Sequence, residues 1–400
     1  MYREKQIVYL TGIGMGNEKS MTEEARGIFR NCDCIIGAGR MTDALQSFGK
    51  PMFSSYKPDE IHRFLKEHIE YGNIAVALSG DPGFYSGAKK LEKELSDYRV
   101  HTIPGISTVA YLAAKLGISW EDVKLVSIHG RKQNFIHAIS THEKTFLLLS
   151  GGENSEEICK KIQHYNLGHV DFYIGKYLSY EKEEILHKSG AQLLPEDFEG
   201  LAAAYVLNPR ADRRIHWHIE DEEFIRGKVP MTKAEVRSIS IGKLGLQEKS
   251  VLYDVGAGTG SVSIEAALQD ETIKVYAVEK NPEGTELIRQ NRQKFCCDQV
   301  ELVEGTAPEA LLPLEAPTHV FIGGSSGNLK EILYVVREKN PNVKIVLNAI
   351  SLETVRETME AIEEGLLTDP EIIQISVSKS RKLGAYHMMT GQNPVYVISS

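Results

Sequence analysis

Residues 251–267, VLYDVGAGTGSVSIEAA, restrict the possible folds of this chain more than any other stretch. A short apolar run ends in Asp254, Gly256, Gly258 and Gly260 follow at alternate positions, and Ser261 opens a run in which Val262, Ile264, Ala267 and Leu268 are spaced for one helix face. Three glycines this close make a turn with no Cβ in the way, so a flat ligand can touch backbone N–H groups at a helix N-terminus. The run before them has the length and composition of a buried parallel strand. Strand, glycine turn and helix together predict a nucleotide-type site in a parallel α/β sheet. The dinucleotide fingerprint G-x-G-x-x-G requires glycine where Ser261 stands, which argues against a dehydrogenase. The next predicted strand, KVYAVE at 274–279, ends in Glu279, and an acid there suits a ribose diol, whose hydroxyls need an acceptor.

A chain of 400 residues exceeds one ordinary core, so two or three domains are expected. With 42% hydrophobic and 25% charged residues it is globular rather than disordered or fibrous. No apolar run approaches the ~18–20 residues a bilayer span needs, and the N-terminus enters a strand pattern without a signal-peptide core. Cytoplasm is the expected location. A net charge of −9 argues against nonspecific nucleic-acid binding. The five cysteines (Cys32, Cys34, Cys159, Cys296, Cys297) lack zinc-finger spacing and read as reduced packing residues, so no metal site is expected.

In chain order, residues 6–13 predict a strand running into Gly12, Gly14 and Gly16, which repeat the alternate-glycine device. A helix at 21–30, with Thr22 at its N-cap, and a strand at 33–37 follow. A buried strand at 74–78 runs into Ser79, Gly80, Asp81, Pro82, Gly83, Phe84, Tyr85 and Ser86, just past a strand's carboxyl end, where open α/β sheets bind ligands. A helix at 87–95, a strand at 100–103, a Pro104-Gly105 turn with Ser107 and Thr108, and a helix at 109–116 come next. Strands at 145–150, 170–177 and 201–207 and a helix at 156–165 make a second lobe. The charged segment 210–218 is the predicted linker between domains at 1–209 and 219–400. After it, Lys233 and Arg237 stand four apart on one helix face, with Thr232 offering a hydroxyl at that helix's N-terminus. Strands at 251–255, 275–279, 300–304, 319–323 and 343–347 alternate with helices, and two further strands, 371–377 and 394–399, have no helix between them.

The pattern D-x-G-x-G-x-G followed by an acid at 279 resembles the seven-stranded S-adenosylmethionine methyltransferases. Residues 1–209 resemble the tetrapyrrole methylase family through four ordered motifs: the first glycine loop, SGDPGFYS at 79–86, PGIST at 104–108, and SIHGR at 127–131. Residues 218–400 resemble the decarboxylating precorrin methyltransferases. The matching stretches include DEEFIRGKVPMTKAEVR, the 251–267 loop, GTAPEAL at 305–311, FIGGSSG at 321–327, NAISLET at 348–354, and a tail with GAYHM and NPV.

These resemblances imply an α/β chain: a two-lobed tetrapyrrole methylase domain, then a Rossmann-like seven-stranded S-adenosylmethionine methyltransferase domain. They imply a bifunctional C-methyltransferase of corrin-ring (cobalamin) biosynthesis with two S-adenosyl-L-methionine sites per chain. The first domain would methylate carbon 5 of a precorrin or cobalt-precorrin; the second would methylate carbon 15 and decarboxylate the carbon-12 acetate. An electron-rich meso carbon attacks a sulfonium methyl in line, so catalysis is positioning plus proton handling. By motif, Asp254, Gly256, Gly258, Gly260, Glu279, Gly305, Thr306, Ala307 and Thr232 are expected at the C-terminal cofactor, and Gly12, Gly14, Ser79, Gly80, Asp81, Phe84, Ser107 and Thr108 at the N-terminal one. Lys233, Arg237, Lys379 and Arg381 are candidates for the substrate's carboxylates, and His387 and Tyr386, in a late hairpin, for proton handling, with His129 in the same role in the first domain. A homo-oligomer, dimer or tetramer, is expected, with no nucleic-acid or membrane partner.

Overall fold

Short apolar runs bounded by glycine, proline or polar turns become strands throughout the chain, and amphipathic runs between them become helices. A computed structural model of the protein describes residues 6–128, 134–149 and 155–400. The predicted proton-handling His129, with Gly130 and Arg131 of its motif, and Ser150 lie outside the described residues. Contacts divide the chain into two units: residues 1–135, 142–163 and 167–211, and residues 136–141, 164–166 and 212–400.

The first unit holds two sheets. Strands β1 (Ile7–Gly12), β2 (Cys34–Gly37), β3 (Met52–Ser54), β4 (Asn73–Leu78) and β5 (Arg99–Ile103) are all parallel, in the order β3-β2-β4-β1-β5. Their side chains alternate between two apolar layers, Val8, Leu10, Ile36 and Val76 against Ile61, Leu65 and Leu91 on one face, and Ile35 and Ala75 against Phe29 and Leu45 on the other. Burial on both faces is why these strands read as continuous apolar runs. Strands β6 (Lys124–Ser127), β7 (Lys144–Leu148), β8 (Asp171–Lys176), β9 (Glu184–Ser189) and β10 (Ala202–Leu207) form a mixed sheet in the order β6-β7-β10-β8-β9. The sequence pattern does not announce β3, which is three residues long, or β9, an edge strand of mixed polarity, EILHKS. The helix Pro58–Glu67 is also unanticipated, although Pro58 at its start and Asp59 and Glu60 in its first turn are ordinary helix-start signals.

The second unit is built on a seven-stranded sheet. Strands β11 (Val251–Val255), β12 (Lys274–Glu279), β13 (Val300–Glu304), β14 (His319–Ile322), β15 (Lys344–Ala349) and β16 (Glu371–Ile375) are followed by a two-stranded ribbon, β17 (Ser378–Leu383) and β18 (Tyr386–Gly391), and then by β19 (Val395–Ser399). The sheet order is β13-β12-β11-β14-β15-β19-β16, with β19 antiparallel to both neighbours. Among the described residues the two strands of the ribbon form ladder pairs only with each other, and all of their residues are exposed.

One buried ion network corrects two sequence expectations. Arg237, on the helix Ala234–Leu244, is 0% exposed rather than facing a ligand. Its Nε donates to Glu265 Oε2 at 2.6 Å, its Nη1 to Thr232 O at 2.7 Å and to Asp221 Oδ1 at 3.4 Å, and its Nη2 to Ile219 O. The Lys233 ammonium lies 3.3 Å from Asp221 Oδ2, so the two cations four residues apart converge on a carboxylate of the chain itself. Asp221 Oδ1 also accepts from Ala234 N at 3.0 Å and so caps the helix, the place expected for the Thr232 hydroxyl; the N-cap position is Lys233. Arg237 therefore fastens the segment 219–233 to the core.

Candidate active sites

In the second unit a cavity of about 640 Å³ opens at the carboxyl ends of the parallel strands. Its wall is made by the glycine loop, Glu279 to Asn281, Gly305 to Ala307, residues 323–326, and the segment 229–233 that Arg237 holds down. Gly256 and Gly258 have φ of +71° and +58°, and each lies against another backbone: a Cβ on Gly256 would stand 2.7 Å from Gly324 O, and one on Gly258 2.7 Å from Pro230 O. Only glycine supplies both the left-handed turn and the closeness. Gly260, also left-handed, is buried against Ile288 and does not line the cavity.

Glu279 ends β12 and is 8% exposed in the cavity wall. Its Oε2 accepts from Gly258 N at 2.7 Å, and its Oε1 from Lys280 N at 3.0 Å and Asn281 N at 2.8 Å. A carboxylate accepts about four hydrogen bonds, so Oε2 keeps capacity for one more donor, such as a hydroxyl. Gly284 makes room for it, since a Cβ there would stand 2.8 Å from Glu279 Cγ.

Asp254, expected at the cofactor, does not line the cavity; it is 1% exposed beneath the loop. Its Oδ2 accepts from Ser263 N at 2.9 Å and from Ser263 Oγ, which ties β11 to the first turn of the helix Ser261–Ala267, while Oδ1 has no partner among the described residues. Burial pushes its carboxyl up to about 7. A carboxyl raised above its ordinary 3.8 is favoured in its protonated form by folding, so stability is greatest below about 4 and is lost as pH rises towards 7. The loss from this one group approaches about 1.4 kcal/mol per pH unit inside that window. Asp254→Asn keeps an acceptor for Ser263 and removes the ionisation, so its unfolding free energy, followed by urea denaturation between pH 4 and 8, is expected to flatten relative to the parent. Parallel curves would place the titration elsewhere.

Thr232, Lys233, Gly305, Thr306 and Ala307 line the cavity as expected. The tail residues do not. Arg381, Tyr386 and His387 lie in the exposed ribbon, and the Lys379 ammonium pairs with Glu235 at 2.6 Å. His387 and Tyr386 are not among the residues of this wall, although Val377, Gln392 and Asn393, which flank the ribbon, are. The sequence reading missed Ser325, Ser326, Asn348 and Asn393, although the FIGGSSG, NAISLET and NPV stretches contain them.

In the first unit a second cavity of about 470 Å³ lies at the carboxyl ends of β2 and β4. Ser79, Gly80, Phe84 and Thr108 line it, as expected, and so do Met15, Arg40 and Tyr180. Arg40, which no motif announced, pairs with no carboxylate among the described residues. Gly12, Gly14, Asp81 and Ser107 shape this site from behind. Gly80 N donates to Gly14 O at 2.7 Å, and a Cβ on Gly12 would stand 2.7 Å from Gly80 O. Asp81 accepts from Gly83 N at 2.8 Å and Gly105 N at 3.0 Å, and Ser107 Oγ caps the helix Thr108–Leu116. Short polar side chains in turns bond local backbone first, which is why these motif residues hold the loops together and do not line the cavity.

Among known families, the model for the precorrin methyltransferase domain matches residues 223–400 and that for tetrapyrrole (corrin/porphyrin) methylases matches residues 7–194. The C-terminal part is 44% identical over 185 residues to a probable cobalt-precorrin-6B C(15)-methyltransferase (decarboxylating) of Pyrobaculum calidifontis, covering 46% of this chain and 94% of that one. A precorrin-6Y C(5,15)-methyltransferase [decarboxylating] of a Sinorhizobium species is 23% identical over 408 residues, covering 98% of this chain and 95% of its own. A crystal structure of precorrin-6y C5,15-methyltransferase from Geobacter metallireducens superposes with a TM-score of 0.43 at 41% identity, over 46% of this chain and 95% of that one.

Proposed function

The chain belongs to the precorrin methyltransferase family, and from that premise we propose that it is a bifunctional, decarboxylating S-adenosylmethionine-dependent C-methyltransferase of cobalamin biosynthesis. The observation that carries this reading is the succession of two family segments on one chain, each with its own cavity at strand carboxyl ends. Relatives named for carbon 15 alone match the C-terminal part, and a relative named for carbons 5 and 15 matches nearly the whole chain. Carbon 15 and the decarboxylation are thereby assigned to the second unit and carbon 5 to the first. We assign the domains to 1–209 and 219–400 with a linker between, the first as a two-lobed tetrapyrrole methylase and the second as a Rossmann-like methyltransferase, in keeping with its antiparallel β19.

S-adenosylmethionine supplies an electrophilic methyl group on a sulfonium when bound. Gly256 and Gly258 let that ligand approach the backbone, and Glu279 Oε2 accepts from its ribose. Gly305, Thr306 and Ala307 border the base, and Ser79, Gly80, Phe84 and Thr108 serve the corresponding part of the first unit. Lys233 and Lys280 in the cavity of the second unit and Arg40 in that of the first are the cations placed to receive carboxylates of the precorrin or cobalt-precorrin. A ribbon that presents Leu383, Tyr386, Met388 and Met389 to solvent favours a homo-oligomer. No helix among the described residues is long and apolar enough to cross a membrane, and we place the protein in the cytoplasm.

Calorimetric titration with S-adenosylhomocysteine is expected to give two sites per chain, and product mass spectrometry a gain of two methyl groups with loss of one carbon dioxide. A single binding site would overturn the two-centre reading.

A further inference from the structure

Asn348 is the last residue but one of β15, two strands along the sheet from the glycine loop, and is 8% exposed in the cavity wall. Its Oδ1 accepts from Ser240 Oγ at 3.0 Å, whereas its Nδ2 has no partner among the described residues. Ser240 Oγ also lies 2.8 Å from Val236 O, and one hydroxyl hydrogen serves one acceptor at a time. With Asn348 Oδ1 turned to the Ser240 hydroxyl, the NH₂ end of Asn348 has no acceptor among the described residues. A buried donor left without an acceptor is costly, and the same wall carries the apolar Val236, Ile350, Val377 and Val395 beside the polar Gln392 and Asn393.

We propose that Asn348 is the donor that orients the carboxylate lost in the decarboxylation, an inference that rests on the function proposed above. In that step the bond between the carboxylate and its α-carbon breaks, the electron pair passes to the α-carbon and the conjugated ring, carbon dioxide leaves, and the α-carbon takes up a proton from water. The carboxylate loses its charge on the way to the transition state. A cation against it would hold the ground state more tightly than the transition state and slow the step. A neutral amide fixes its direction with a weaker bond, and apolar walls disfavour its charged form. Of the two lysines in this wall, Lys233 is half exposed and engaged with Asp221, and Lys280 follows the end of β12, three strands along the sheet from β15.

The test compares wild type, Asn348→Leu and Asn348→Asp with S-adenosylmethionine and precorrin-6B or its cobalt form, scoring methyl gain and carbon dioxide loss separately by mass spectrometry. Titration with S-adenosylhomocysteine reports whether each variant's cofactor site is intact. Asn348→Leu is expected to lower the ratio of carbon dioxide lost to methyl gained about tenfold, and Asn348→Asp, which sets one carboxylate against another, to lower it further. Should the leucine variant lose cofactor binding, the isosteric aspartate decides the matter. Wild-type ratios in both variants, or methyl gain falling in step with carbon dioxide loss, would overturn this role for Asn348. A wild-type protein that transfers no methyl group at all would instead remove the functional reading beneath it.

Discussion

Replacing Glu265 with alanine is expected to lower the melting temperature of the second unit by roughly 6–20 °C. Arg237 and Glu265 are both wholly buried and bonded at 2.6 Å, and Glu265 Oε2 also accepts from Ile219 N at 3.3 Å. Removing one member of such a pair strands the other charge without water, at a cost of about 3–5 kcal/mol. Each kcal/mol moves the midpoint of a unit this size by about 2–4 °C. The double replacement Arg237→Met with Glu265→Leu removes both charges and leaves Asp221 its partner Lys233, so it should recover most of the loss. Differential scanning calorimetry of the single and double variants checks this. A double variant as unstable as the two singles summed would mean that the contacts of Arg237 to Thr232 and Ile219, rather than the ion pair, hold segment 219–233.

Gly258→Ala is expected to reduce the count of S-adenosylhomocysteine sites from two to one and to lower methylation at carbon 15 by at least about a hundredfold, with carbon 5 methylation kept. An alanine there meets Pro230 O at 2.7 Å and must hold φ near +58°. The conformation alone costs about 1–2 kcal/mol, and relieving the clash moves Gly258 N from Glu279 Oε2 or displaces segment 229–233 from the cavity wall. Loss of both methylations together would mean that the two centres do not work independently; retention of both sites would mean that the loop yields without consequence.

The alternation of buried strands with helices, and hence the parallel α/β sheets, was legible because strands buried on both faces are continuous apolar runs, as in IVYLTG, NIAVAL and KVYAVE. The glycine loop was legible because few residues other than glycine tolerate its backbone. What sequence spacing could not separate was a residue in the cavity from one beneath it. Asp254 and Glu279 both stand near the carboxyl ends of strands beside the loop, yet one turns under it to Ser263 and the other faces the cavity. Arg237 looked like half of a surface cation pair because its partners, Asp221 and Glu265, are remote in the chain and leave no local pattern. Asn348 stood inside a recognised stretch, but only the neighbouring Ser240 hydroxyl shows that half of its amide is unused.

The position of β19 bears on how the second unit is made. Strand β16 emerges during synthesis before β19, yet its partner in the sheet is β19, which also joins it to β15. A growing chain can therefore close the first unit and assemble β11 to β15, while β16 and the ribbon wait as an unpaired edge. Edges of this kind recruit other chains, so the interval before residues 395–399 arrive is when the nascent protein most needs protection from its neighbours.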